Sequence, residues 1–346
     1  MKILIVAPKD IRRLPIAESI SNEFKNFGHE NKIFVVDSFY ESCSYFQRKI
    51  YKLGYKHSEK IYNENLMAEL SKMYAEFQPN FILILDGTNV PPPIQEFLTR
   101  YKTVLWLWDS FKRFEHLTKF TSLVKEIFCF EYDDIEDLRQ KNIPAHYLPL
   151  GANEKIYFPA ECEKDIDISF IGWQSKERLE ILEKVCKRAR QKNWTVKIGG
   201  PFHDNKYFWK KYLFGRRNKN LAKFLENRMF EPEEVAALYR RSKICLNINV
   251  SMHKSLNPRT FEICATKSFQ LMNSGQNSCG FINLETDLAT FDNAEDLLEK
   301  IEFYLANDEL REKIAENGYN SVMKNCTIKK SVERLLAESE IVRSLK

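Results

Sequence analysis

The residues best suited to chemistry stand in one stretch, Asn249-Val-Ser-Met-His-Lys-Ser-Leu-Asn-Pro-Arg-Thr-Phe-Glu-Ile-Cys-Ala265. An apolar run ends there, a polar loop follows, and Asn257-Pro258 opens a helix. Asn favours the capping position and Pro the first helical one. Arg259 then sits in the first turn, beside backbone N–H groups that lack helical partners. A helix N-terminus plus a guanidinium is an anion site well matched to a diphosphate. Glu262, three residues on, shares the face of Arg259, and a carboxylate there can accept from ribose hydroxyls. The same spacing also makes an ordinary surface ion pair, and the sequence leaves the two readings open. Lys254, in the loop, can neutralise charge on a departing diphosphate. His253 beside it reads as a loop residue.

Further polar residues follow apolar runs. Gly172 and the pair Gly199-Gly200 come after strand-like segments, where glycine lets backbone amides approach a phosphate; plain turns explain them as well. No G-x-G-x-x-G accompanies them, so the dinucleotide fingerprint is absent. Asp109 follows Thr103-Val-Leu-Trp-Leu-Trp108 and has Lys112 and Arg113 after it. It suits a general base or a sugar-hydroxyl contact, and equally the N-cap of a helix over 110–124. Asp86-Gly87-Thr88-Asn89 is a similar corner, read first as a turn. His116 and His146 carry little signal.

The elements that must position these residues alternate between strand and helix. Apolar runs at 2–7, 32–36, 81–85, 103–108, 126–130 and 146–148 have the character of strands buried on both faces, and helical patterns lie between them, at 15–27 and 41–78 among others. Leu148-Pro-Leu-Gly-Ala-Asn153 reads as a hinge. The pattern then restarts, with strands at 166–171, 195–198, 243–248 and 268–272 and helices at 176–192, 233–241, 258–266 and through 293–345. The expectation is α/β: two Rossmann-like domains, 1–150 and 151–346, each with a parallel sheet, facing a central cleft, the last helix packing back on the first domain.

Composition excludes other classes. A length of 346 residues suits two cores. There is no run of about 18 apolar residues, hence no membrane span, and Met1–Ala7 is too short for a signal peptide. The eight cysteines are scattered without C-x-x-C or zinc spacing and read as free thiols in a reducing cytoplasm. A formal net charge of +5 without a binding motif argues against nucleic acid. Two tracts, Gln47–His57 and Lys206–Lys219, mix basic and aromatic residues in a way that suits an anionic membrane or lipid-linked acceptor; an ordinary solvated helix face is the competing reading.

Lys243-Ile-Cys-Leu-Asn-Ile-Asn249 and Asn257-Pro-Arg-Thr-Phe-Glu-Ile-Cys-Ala-Thr-Lys-Ser-Phe-Gln-Leu271 resemble the donor-site signature of CgeB-like glycosyltransferases, relatives of the family-4 GT-B enzymes. Asp167–Gly172, Leu148–Asn153, Phe230–Tyr239 and Tyr304–Gly318 fall in the order of that family's landmarks. The likeness covers about 145–330. It implies the GT-B fold and transfer of a sugar from a nucleotide-sugar donor to a cell-surface glycan, lipid-linked or protein acceptor. It implies retention of configuration, with positive side chains in place of a metal and no cofactor besides the donor. Arg259 would meet the phosphates and Glu262 the ribose or sugar, with Asn257, Gly172, Gly199 and Gly200 around them, Lys254 assisting and Asp109 on the acceptor side. One departure is Gln270, where the family has a second carboxylate. Location is expected to be cytoplasmic, or peripheral at the inner face of the membrane. A nucleotide-sugar epimerase of the same fold and a degenerate, non-catalytic binding protein are the alternatives.

Overall fold

A computed structural model describes residues 1–9, 14–37, 57–250 and 254–345. The chain parts into two compact units, Met1–Leu150 with Ile328–Lys346, and Gly151–Thr327.

The first unit runs β1 (Lys2–Pro8), α1 (Leu14–Asn26), β2 (Glu30–Val36), α2 (His57–Phe77), β3 (Phe81–Leu85), α3 (Pro92–Leu98), β4 (Thr103–Leu107), α4 (Glu115–Thr121), β5 (Glu126–Cys129), α5 (Asp133–Gln140) and β6 (Ala145–Tyr147). The strands are parallel, in the order β2-β1-β3-β4-β5-β6. Alternate residues of β1 serve opposite faces: Leu4 and Val6 join one apolar cluster, Ile3, Ile5 and Ala7 the other. That two-sided demand is why the strand reads as a continuous apolar run. Instead of one helix over 110–124, a 3-10 turn at Phe111–Arg113 precedes the short α4, and Ser110, not Asp109, caps it by accepting from Lys112 N–H. Of the expected helix at 41–78, residues 41–56 lie outside the described residues, as do 47–56 of the first basic tract.

The second unit runs β7 (Ile166–Ile171), α6 (Lys176–Lys192), β8 (Val196–Gly199), α7 (Phe208–Arg217), β9 (Leu225–Glu226), α8 (Pro232–Arg241), β10 (Ser242–Asn247), α9 (Pro258–Ala265), β11 (Gln270–Asn273), β12 (Ala289–Phe291), α10 (Ala294–Leu305) and α11 (Asp308–Asn325). Its parallel strands are ordered β12-β11-β10-β7-β8-β9. The chain moves outward from β7 to β9, returns to β10 beside β7, and moves outward the other way. This is the doubly wound order, and it puts the topological switch point between β7 and β10. Strands β9 and β12, of two and three residues, are too short to announce themselves by periodicity.

The chain ends in α12 (Ile328–Glu338) and α13 (Glu340–Arg343), which fold with the first unit. Ile328, Val332, Leu335 and Leu336 enter the apolar cluster that holds Ala17, Ile20 and Phe24 of α1. The Glu126 carboxylate accepts from the Ser339 hydroxyl (2.7 Å) and the amides of Glu340 (2.7 Å) and Ile341 (3.2 Å), so a buried acid caps α13. Burial pushes the Glu126 carboxyl up, but His146, Ser339 and the two amides outweigh it and hold it below its ordinary value. Among the described residues the cysteines are free thiols, most of them buried, and no helix is long and apolar enough to cross a membrane.

Candidate functional site

The site is built where β7 and β10 end side by side. Asn257 caps α9, accepting from Thr260 N–H at 3.1 Å, and Pro258 fixes the first helical position. A ladder of amides locks this corner. Asn257 Nδ2 donates to Asn247 Oδ1 (2.9 Å) and Asn249 Oδ1 (3.0 Å). Asn247 Nδ2 lies 3.0 Å from both Thr260 Oγ1 and Gln270 Oε1. Asn247 is wholly buried at the last position of β10. Desolvated amides hold position only when so satisfied, so the ladder fixes the start of α9 against the strand end.

Arg259 extends from that start. Its Nη1 donates to Asn247 Oδ1 at 2.9 Å, and its guanidinium carbon lies 5.4 Å from the Phe170 ring centre. Arg178, in the first turn of α6, lies over the same ring at 5.8 Å and donates to the carbonyls of Ile248 and Trp173, each at 2.9 Å. Two guanidinium groups therefore share one aromatic ring at the switch point. Burial, then the charge of Arg259, lowers the Arg178 pKa to about 9. Like charges held together in a partly desolvated place disfavour one another. A bound anion relieves that repulsion, and planar guanidinium groups are suited to phosphate oxygens. Nothing in the sequence singles out Arg178: it stands 81 positions before Arg259 in a charged helix, and no local signal separates it from its neighbours.

Glu262 does not form the surface ion pair that the spacing also allowed. Its carboxyl takes a hydrogen bond from the Tyr157 hydroxyl, and burial raises its pKa to about 7 against the opposing influence of Arg259 and Tyr157. Arg259 hydrogen-bonds the hydroxyl of the fully buried Tyr239. Gln270 is 1% exposed and begins β11. Its Oε1 accepts from Asn247 in the amide ladder, while its Nε2 is buried without a partner among the described residues.

The three glycines leave room that a side chain would fill, and two of their amides are already engaged. Gly172 N–H is spent on the carbonyl of Gly199 (3.0 Å) and Gly200 N–H on that of Glu226 (3.2 Å). A Cβ at Gly172 would lie 2.8 Å from Arg259 Nη2; one at Gly199 would lie 2.5 Å from the Phe230 ring; one at Gly200, where φ is +134°, would lie 1.9 Å from the Gly172 carbonyl oxygen. Gly172 thus makes space for Arg259, and the other two allow the strand ends to close up.

Lys254 is exposed, and its carbonyl accepts from Asn277 N–H at 2.6 Å; residues 251–253, with His253, lie outside the described residues. Asp109 lies in the first unit, where it pairs with Arg113 and accepts from Ser110 N–H at 2.8 Å. In the same unit, Thr88 donates to the Asp86 carboxylate, and His116 Nε2 lies 2.8 Å from the Thr88 carbonyl. Asp86, at φ +66°, follows β3 directly. The fold brings His116 to this corner across 28 positions, which no reading of spacing anticipates. Among the described residues no group of three or more His, Cys, Asp or Glu is placed to hold a metal ion.

Residues 178–337 match a family described as glycosyl transferase-like. The spore protein CgeB of Bacillus subtilis (strain 168) is 23% identical over 289 residues, which covers 77% of this chain and 85% of that protein. Among solved structures, sucrose-phosphate synthase (tll1590) from Thermosynechococcus elongatus aligns with a TM-score of 0.71 at 11% identity, over 100% of this chain and 99% of that one. Anabaena Alr3699/HepE, solved in complex with UDP and glucose, aligns with a TM-score of 0.68 at 11% identity, over 97% and 98%. The resemblance to CgeB-like glycosyltransferases stands, and the fold is GT-B: α/β, with two Rossmann-like units.

Proposed function

We propose that this protein is a glycosyltransferase whose second unit binds a nucleoside-diphosphate sugar. The observation that carries the reading is the pair of guanidinium groups, Arg178 and Arg259, over Phe170 at the N-terminus of α9. In the proposed reaction the bond between the anomeric carbon and the β-phosphate oxygen breaks, and a bond from an acceptor hydroxyl to that carbon forms. The hydroxyl proton leaves to a base, for which Asp109 is our candidate, or to the departing phosphate. Charge grows on the leaving diphosphate as the bond lengthens. Arg259 and Arg178, held by Asn247 and by the carbonyls of Ile248 and Trp173, would meet that charge with little reorganisation, which is how fixed charges lower a barrier. Lys254 would close over the diphosphate from the loop, and Glu262 would meet the ribose or sugar hydroxyls.

The finer terms of the proposal are a metal-independent reaction with retention of anomeric configuration, and an acceptor that is a surface glycan, a lipid-linked sugar or a protein. The presence of UDP and glucose in the HepE complex makes UDP the first nucleotide to try. Thermal melting with UDP, GDP, dTDP, CDP and their sugars, for wild type and Arg259→Ala, tests the donor site. A ligand at 100 times its dissociation constant stabilises by about 2.7 kcal/mol. A shift with one nucleotide that disappears in the variant is expected; melting that ignores all of them would remove the donor role. Turnover in EDTA, and the anomeric configuration of the product by NMR, test the finer terms. Recovery of an epimerised nucleotide sugar without acceptor would replace transfer by epimerisation.

A further inference from the structure

Helix α7, Phe208-Trp-Lys-Lys-Tyr-Leu-Phe-Gly-Arg-Arg217, is turned inside out. A helix on a globular unit buries its apolar stripe. Here Phe208 is 83% exposed, Tyr212 61%, Trp209 49% and Leu213 40%, and no residue of the helix is buried. These four fall on one face by the helical period. The opposite face holds the helix down: Phe214 lies against Phe202 (ring centres 6.4 Å apart) and His203 (5.1 Å). The outward aromatic face is thus fixed by its own anchor.

We propose that α7 docks the protein on an anionic lipid surface. The charge around the aromatic face selects that occupant. Between positions 204 and 219 stand six basic residues and one acidic residue, Asp204, which equals the formal net charge of the whole chain, +5. Asp204 is itself paired with Lys210 at 3.0 Å. Lys206, Lys211, Arg216, Arg217 and Lys219 are exposed and lie along the whole tract instead of converging on one point, as suits a layer of headgroups more than a single acidic side chain. Trp and Tyr favour the boundary between water and hydrocarbon, where an aromatic body and a polar tip are both satisfied. A ten-residue helix is too short to span a bilayer but suffices to lie in its interface.

The test uses the full chain and sedimentation with large vesicles of phosphatidylcholine, with or without about one-third phosphatidylglycerol. Wild type is expected to sediment with the anionic vesicles and to be released by salt. The variant Phe208→Ser/Trp209→Ser/Tyr212→Ser is expected to bind at least about tenfold more weakly. Lys211→Gln/Arg217→Gln is expected to bind about 30-fold more weakly, since each basic residue near such a surface contributes on the order of a fivefold factor. All of these side chains are exposed, so circular dichroism and melting should match wild type in both variants. Equal binding to neutral and anionic vesicles, or undiminished binding by the aromatic variant, overturns the proposal. So does a wild type that ignores vesicles and forms a dimer which the aromatic variant abolishes, because the face would then be a protein interface.

Discussion

Substituting Gly172 by Ala tests the geometry of the donor site with a single methyl group. Its Cβ would stand 2.8 Å from Arg259 Nη2 and 2.9 Å from Phe170 Cζ, against an ordinary contact of about 3.5 Å or more. Something must yield by about 0.7 Å. Phe170 is wholly buried, whereas the guanidinium is the far end of a flexible side chain, so Arg259 moves most. Its bond to Asn247 is 2.9 Å long, and that displacement takes it toward about 3.5 Å, where a hydrogen bond is lost. A hydrogen bond to a charged group contributes about 1.5–3 kcal/mol, so a misplaced guanidinium should weaken nucleotide binding by about tenfold or more. Overpacking against Phe170 adds a stability cost of about 1–3 kcal/mol, a fall of a few degrees in melting temperature. Calorimetric titration with the nucleotide that stabilises wild type measures the first effect, and melting without ligand the second. Gly215→Ala is the control: nothing lies within 4 Å of its Cβ, and Ala in a helix stabilises by up to about 1 kcal/mol relative to Gly. A folded Gly172→Ala protein with wild-type affinity would refute the placement of Arg259 at the phosphates.

Two pH-dependent effects follow from carboxyls whose surroundings shift their pKa. The pKa of Glu262 is raised from its ordinary 4.5 to about 7, so the folded state favours its proton and wild type loses stability as pH rises through that interval. Glu262→Gln should remove this slope, so that its melting temperature gains on wild type between acid and neutral pH; parallel curves would contradict the assignment. Glu126 is the opposite case. Its folded pKa is lowered, so its contribution is present above the ordinary carboxylate pKa and is lost as pH falls through the depressed one. Glu126→Gln leaves the start of α13 with a poorer acceptor and should cost about 1–3 kcal/mol at neutral pH. Denaturant unfolding should show that difference vanish in strong acid.

The longer buried strands and the opening of α9 were legible in the sequence because their causes are local. Strands buried on both faces must be apolar throughout, and a helix start needs an acceptor and a fixed φ within two residues. Asn257-Pro258 therefore marked the N-terminus of α9, and Arg259 followed from it. Tertiary structure alone decided what surrounds that residue. Arg178 reaches Phe170 because β7 and β10 are neighbours in the sheet, a consequence of the crossover order that no window of sequence contains. Gln270 stands where the family has a second carboxylate, and only the fold shows its Oε1 joining the buried ladder from Asn247. For Gly172 and Gly200 the sequence leaves a turn and a phosphate approach open, and the fold engages both amides with the carbonyls of neighbouring strand ends. The tract 206–219 showed its mix of basic and aromatic residues, but not which side of α7 faces out. Which side of a helix meets the core depends on the anchor, here Phe214 against Phe202 and His203, and such contacts are settled only when distant segments pack.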